Sequence, residues 1–197
     1  HSTAVIFLKD LDGRYLLFNR HYEHLFGITN TEWAGRRDDD LFPKAVADER
    51  YLHRGLPYGV AFTGLWSLFV PLIAPGVVDA LEPEMERLKA LCFRLDVATV
   101  HAYAPMGPRS FYARDFAPLL GIPEDPVTGS ANAALGALLA RAGVVPRREG
   151  KVLLTVYQGH PLGNPGVVEV QVEYSPTGEP YSVQIGGEAV IVQTGEV

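Results

Sequence analysis

The stretch SANAALGALLARAG, residues 130–143, constrains this chain more than any other. Ala131, Ala134, Leu135, Leu138, Leu139 and Ala142 recur at i, i+3, i+4, i+7, i+8 and i+11, the spacing of one apolar helix face. Gly143 supplies a left-handed terminus and Pro146 prevents continuation. A face this rich in alanine lets strands approach closely, so the helix is expected to lie against a curved sheet or through its centre.

Candidates for that sheet follow one another along the chain. VATVHAYA, SFYARDF, KVLLTVY, GVVEVQVEY, YSVQI and EAVIVQTG read as strands, and in the fourth Val168, Val170 and Val172 alternate with Glu169, Gln171 and Glu173, a strand with one wet face. The tail therefore predicts an antiparallel sheet. VAFTGLWSLFVPL is a buried-strand candidate. In EPEMERLKALCFRLD, Met85, Leu88, Leu91, Cys92 and Leu95 share one helix face, with Pro83 suited to the first turn. Cys92 sits on that apolar stripe and reads as packing rather than as a nucleophile. Trp33 and Trp66 read as packing residues at the edges of their segments.

The central helix begins at DPVTGS. The first N–H groups of a helix have no carbonyl partner and the dipole adds partial positive charge, so Thr128, Gly129 and Ser130 can cradle a carboxylate or phosphate. Asp125, held next to Pro126, would sit at the rim and share a proton with a substrate. A plainer reading stands beside this one. Thr128 or Ser130 caps the helix while Glu124 and Asp125 complement its dipole.

Composition narrows the function. A formal charge of −6 without long blocks of either sign argues against nucleic acid and anionic membranes as partners. Apolar runs are broken by Pro71 and Pro75 before spanning length and the N-terminus lacks a leader pattern, so a cytoplasmic location is expected. The first residue is His1, which suggests a start inside a longer chain. One cysteine permits no internal disulfide. His21 and His24 lie i, i+3 but lack a third ligand, so no metal is expected. His53 and His160 read as ordinary polar residues.

The first 55 residues have a different texture. AVIFLKDLDGRYLLFN gives a hairpin pattern about Asp12-Gly13, and Asn30 can cap the short helix that follows. DLDGRYLLFN, LFGIT, EWAGRRDDDLFP and VADERYLHRG resemble, in order, the first part of a PAS sensory domain over residues 4–55, without the strands that complete that fold. Half of that sheet leaves strand edges unpaired, so the segment must borrow a surface from the rest of the chain, and strands exposed by a missing lobe would encourage a homodimer.

From about residue 56, TGLWSLFVPL, LEPEMERLKAL, RDFAPLLGIPEDPVTGSANAALGALLARAG, VYQGHPLGNPGVVEV and VQIGGEAVIV resemble the C-terminal half of the phenazine-biosynthesis (PhzF-like) isomerases. The resemblance implies an α+β fold: a diaminopimelate-epimerase-like lobe, with a barrel-like, mostly antiparallel sheet around a central helix, here behind a partial PAS-like α/β segment. It divides the chain at 1–55 and 56–197. It also implies isomerase or epimerase chemistry on a small carboxylic acid by proton relocation, with no cofactor. Asp125 would be the catalytic residue, a polar partner of the substrate, and Thr128, Gly129 and Ser130 the substrate-binding residues. No cysteine stands at the helix head, which excludes a two-thiol racemase mechanism. Gln158, Gly159 and Pro165 match a family loop read as structural, and Arg114 reads as fold-supporting. The family's N-terminal lobe, with its acid/base glutamate, finds no match, so the resemblance implies the socket and not turnover by this chain alone. The alternative is a non-catalytic metabolite sensor or interaction protein that retains the socket.

Overall fold

A computed structural model describes residues 7–9, 14–18, 20, 29–36 and 49–188. Near the N-terminus β1 (Phe7–Lys9) and β2 (Tyr15–Phe18) pair antiparallel, followed by the one-turn helix α1 (Asn30–Trp33). This agrees with the hairpin pattern, whose Asp12-Gly13 turn lies outside the described residues. So do His21 and His24.

The main sheet contains β3 (Gly59–Phe62), β4 (Trp66–Pro71), β5 (Thr99–Gly107), β6 (Ser110–Ala117), β7 (Ile122–Asp125), β8 (Lys151–Gln158), β9 (Gly166–Tyr174) and β10 (Pro180–Gly186). Its order is β10-β9-β8-β6-β5-β4-β3, with β7 added to β6. The pairs β4 with β5 and β6 with β8 are parallel and the rest antiparallel. What reads in the sequence as one strand, VAFTGLWSLFVPL, is a hairpin: β3 turns at Gly64, whose φ of 124° suits glycine, into β4. Trp66 is half exposed and packs on Phe62.

The central helix α4 (Gly129–Arg141) touches β3 and β4 near one end of the strand order and β8, β9 and β10 at the other. Only a sheet curled around the helix can meet it from both ends. Ala134, Leu135, Leu139 and Ala140 fill the concave side with Phe69, Tyr103, Phe111, Val152, Leu154, Val156 and Val170. Gly136 sets the closest approach, because a Cβ there would lie 2.5 Å from Val170 Cγ1. The helix stops one residue earlier than the periodicity suggests: Ala142 caps it and is exposed, and Gly143 follows with φ 68°.

On the convex side α2 (Pro75–Asp79) and α3 (Met85–Leu95) cover the sheet. Leu88, Leu91, Cys92 and Leu95 pack on Leu68, Val100, Ala102 and Phe116. Pro83 lies just before α3 rather than within its first turn. In β9 Val168, Val170 and Val172 are buried, as their alternation predicts.

Candidate functional site

The helix head is built by β7, the turn after it and the end of β8. Glu124 and Asp125 are consecutive in β7, so their side chains point to opposite faces. Glu124 goes to the convex side, where Arg114 Nε and Nη2 grip its two oxygens at 2.8 and 2.7 Å. Arg114 Nη1 donates to the carbonyls of Val78, Asp79 and Leu81. Arg114 thus supports the fold, and Glu124 is its counter-ion rather than a complement to the helix dipole.

Asp125 goes to the concave side and is half-buried. Its Oδ2 accepts a hydrogen bond from Thr128 Oγ1 at 2.7 Å. Gln158, wholly buried, ties the turn together. Its Nε2 donates to the Asp125 carbonyl at 2.8 Å and to Thr128 Oγ1 at 3.0 Å, while its Oε1 accepts from the Thr128 amide and from Asn132 Nδ2. Asn132 Nδ2 also donates to the Thr128 carbonyl. Buried amides and hydroxyls of this kind are retained only when paired, and here nearly all are.

Thr128 is therefore engaged by the protein on its amide, hydroxyl and carbonyl. It is the N-cap residue, yet its hydroxyl turns to Asp125 and makes no capping bond. Among the described residues, nothing accepts a hydrogen bond from the amides of Gly129, Ser130 and Ala131, and the Ser130 hydroxyl is unbonded. Gly129 and Ser130 are half-buried, whereas Ala131 is wholly buried. The Ser130 carbonyl, in contrast, accepts from Thr63 Oγ1 at 2.7 Å, which anchors the helix start to the turn after β3. Gly129 is a glycine for a packing reason too, since a Cβ would lie 2.8 Å from Ile185 Cδ1.

The Thr128 hydroxyl therefore does not cap the helix, and the helix start lies beside the Asp125 carboxyl group that this hydroxyl bonds. The knot of Thr128, Asn132 and Gln158 is only partly readable from sequence: Gln158 is marked by its loop, whereas nothing local marks Asn132 or Thr63. His160 stacks on Tyr112 at 5.2 Å between ring centroids, and His53 Nδ1 accepts from the Gly55 amide. Among the described residues no cluster of His, Cys, Asp or Glu can hold a metal, and no helix is long and apolar enough to cross a membrane.

Cys92 is fully buried, and burial first, then the charge of Asp115, pushes its thiol up to about 11. At pH 8 roughly one thiol in a thousand would be ionised. Native protein should therefore leave a disulfide-exchange dye colourless over a period in which urea-unfolded protein reacts fully. Rapid native labelling would contradict this placement.

Fold and site together define a mixed α+β protein with a sheet curled around a helix, whose N-terminal turn bonds the Asp125 carboxyl group. The chain belongs to the phenazine biosynthesis-like protein family (PhzC-PhzF), whose profile matches residues 20–195. An uncharacterized isomerase of Deinococcus radiodurans is 52% identical over 147 residues, covering 75% of this chain and 47% of the relative. The uncharacterized isomerase YddE of Escherichia coli K12 is 33% identical over 159 residues, covering 79% and 48%. A crystal structure of a Bacillus anthracis phenazine biosynthesis protein of the PhzF family superposes with a TM-score of 0.61 at 26% identity, covering 72% of this chain and 48% of that one. The chain spans about half the length of the curated relatives it matches. The family match begins at residue 20 and runs through the expected boundary at 55/56, so it supports neither a separate PAS-like segment nor a family likeness confined to 56–197.

Proposed function

We propose that the head of α4 binds the carboxylate of a small organic acid and that Asp125 relocates a proton on the bound molecule, a cofactor-independent isomerisation. The observation that carries this reading is the division of labour at residues 125–131. Thr128 engages Asp125 with its hydroxyl, while the amides of Gly129 and Ser130 and the Ser130 hydroxyl have no partner among the described residues.

Those donors suit a carboxylate, because unpaired helix-start amides and the helix dipole both favour negative charge. They also stabilise charge that spreads onto the carboxylate as a neighbouring C–H bond breaks. Asp125 takes that proton as its O–H bond forms, the C–H electron pair becomes part of a new double bond, and the pair of the substrate's existing double bond shifts to another carbon, which takes the proton back from Asp125. Thr128 has a positioning role in this scheme, and Gly129 and Ser130 bind the substrate. The family's relatives carry the name isomerase, which agrees with this class of reaction.

Solvent deuterium uptake by a panel of small unsaturated carboxylic acids tests the reading. Wild-type protein should catalyse exchange, and Asp125→Asn should lower the rate by about 10²-fold or more. Ser130→Ala should weaken binding with less effect on the rate of the bound complex. Binding at the helix head without exchange by wild-type protein would favour the alternative, a metabolite sensor, and would remove the catalytic role.

A further inference from the structure

Gln158, the last residue of β8, is wholly buried and has its side-chain amide fully engaged. Its Nε2 donates to the Asp125 carbonyl at 2.8 Å and to Thr128 Oγ1 at 3.0 Å, and its Oε1 accepts from the Thr128 amide at 3.2 Å and from Asn132 Nδ2 at 2.7 Å. A primary amide has two protons to give and two lone pairs on its oxygen, so no capacity is left over. Two of these partners are main-chain groups that play one part only. The Asp125 carbonyl accepts and the Thr128 N–H donates, so turning the amide over would set oxygen against oxygen and N–H against N–H. Asn132 is fixed in the same way, because its Nδ2 donates to the Thr128 carbonyl at 2.8 Å.

The consequence reaches Thr128. Among the described residues its Oγ1 has two hydrogen-bond partners, Gln158 Nε2 and Asp125 Oδ2. The first is a donor, so the hydroxyl proton finds an acceptor only at the second. A proton carried on Oδ2 would face that proton and leave the buried Thr128 O–H without an acceptor, a state that buried donors avoid. Asp125 is half-buried, and its Oδ1 has no hydrogen-bond partner among the described residues.

We propose that Gln158 is a positioning residue for the proton relocation and acts through Thr128. It holds the Thr128 hydroxyl as a donor to Asp125 Oδ2, so Oδ1 is the oxygen that takes the proton from the substrate and gives it back. This inference rests on the role given to Asp125 above. The end of β8 thereby decides which edge of the carboxyl group reacts, and the carboxyl group need not rotate between the two transfers.

Asp125→Asn reads the direction of the hydroxyl without turnover. With the Thr128 proton still aimed at residue 125, the new side chain should place its oxygen on Thr128 and turn its NH₂ away. In ¹⁵N-labelled full chain, without substrate, neither proton of that NH₂ should be protected from exchange with solvent. Protection of either one would show the Thr128 hydroxyl accepting and would overturn the proposal. Kinetics then test the part played by Gln158. Gln158→Met keeps the side chain's length without its donors and acceptor, and Thr128→Val keeps the shape without the hydroxyl. In the deuterium exchange assay each should lower the rate of the bound complex by up to about 10²-fold, with KM nearly unchanged. Because both act on one bond, the double variant should be no slower than the slower single variant. Losses that multiply, or that appear in KM alone, would leave Gln158 a structural residue and overturn the proposal. If Gln158→Met does not fold, the NH₂ of Asp125→Asn decides alone: unprotected protons support the proposal and a protected one refutes it. Absent exchange in wild-type protein would instead remove the catalytic role of Asp125, a failure distinct from a protected NH₂, which overturns the positioning only.

Discussion

Arg114→Met should destabilise the protein by about 3–5 kcal/mol, the range for breaking a buried ion pair by removing one partner. The loss has three sources. Glu124, whose side chain is only 9% exposed, keeps its charge and loses both bonds to the guanidinium. The carbonyls of Val78, Asp79 and Leu81, at the end of α2, lose their shared donor. The guanidinium also lies over the Phe116 ring at 4.9 Å, a contact methionine replaces only in part. The measurement is a urea midpoint at unchanged slope. Adding Glu124→Leu should recover part of the loss, since the stranded charge is removed, but not all, because the three carbonyls remain unserved. A single variant within about 1 kcal/mol of wild type would show that the pair is not holding β7 against α2.

Gly159→Ala should be nearly as damaging and should also reach the site. Gly159 has φ 86°, where an alanine costs about 1–2 kcal/mol in backbone strain alone. Its Cβ would also lie 2.2 Å from the Asn164 carbonyl oxygen and 2.6 Å from that of Pro126. Both are backbone atoms, so neither can rotate away. The combined cost should be about 3 kcal/mol or more. Pro126 belongs to the turn that carries Asp125 into Thr128, so any relief of the clash displaces the helix head. Exchange by the protein that remains folded should fall by up to about 10²-fold, the scale expected when a reacting group is misplaced by about 1 Å. Gly163→Ala is the control. It has φ 70° and nothing near its Cβ, so it should cost about 1 kcal/mol and leave exchange unchanged.

Several elements are legible in the sequence because their signals are local. Helix α4 announces itself by the recurrence of Ala131, Ala134, Leu135 and Leu138, and β9 by the alternation of its valines. The head of α4 is readable in the same way, since any helix start leaves amides unpaired and DPVTGS supplies no bulky side chain to cover them. The hairpin of β3 and β4 is harder, because its apolar run continues through the turn and only Gly64 marks the bend. The purpose of Glu124 is not readable at all. Its neighbour Asp125 shares its chemistry, and only the strand pleat, which sends one to Arg114 and the other to Thr128, separates their roles.

By itself, then, the sequence determined the central helix, the helix that carries Cys92, the alternating strand and the helix start at DPVTGS. These depend on spacings of two to four residues, within which backbone geometry alone fixes which side chains share a face. Tertiary structure alone decided how the groups at the helix head are paired. Gln158 claims the Thr128 amide from thirty positions away, and the row from Phe69 through His101 and Asp115 to Asp125 exists only because four strands pair in one register. Register is a property of the assembled sheet, where a slip of one residue would turn each of those side chains to the opposite face.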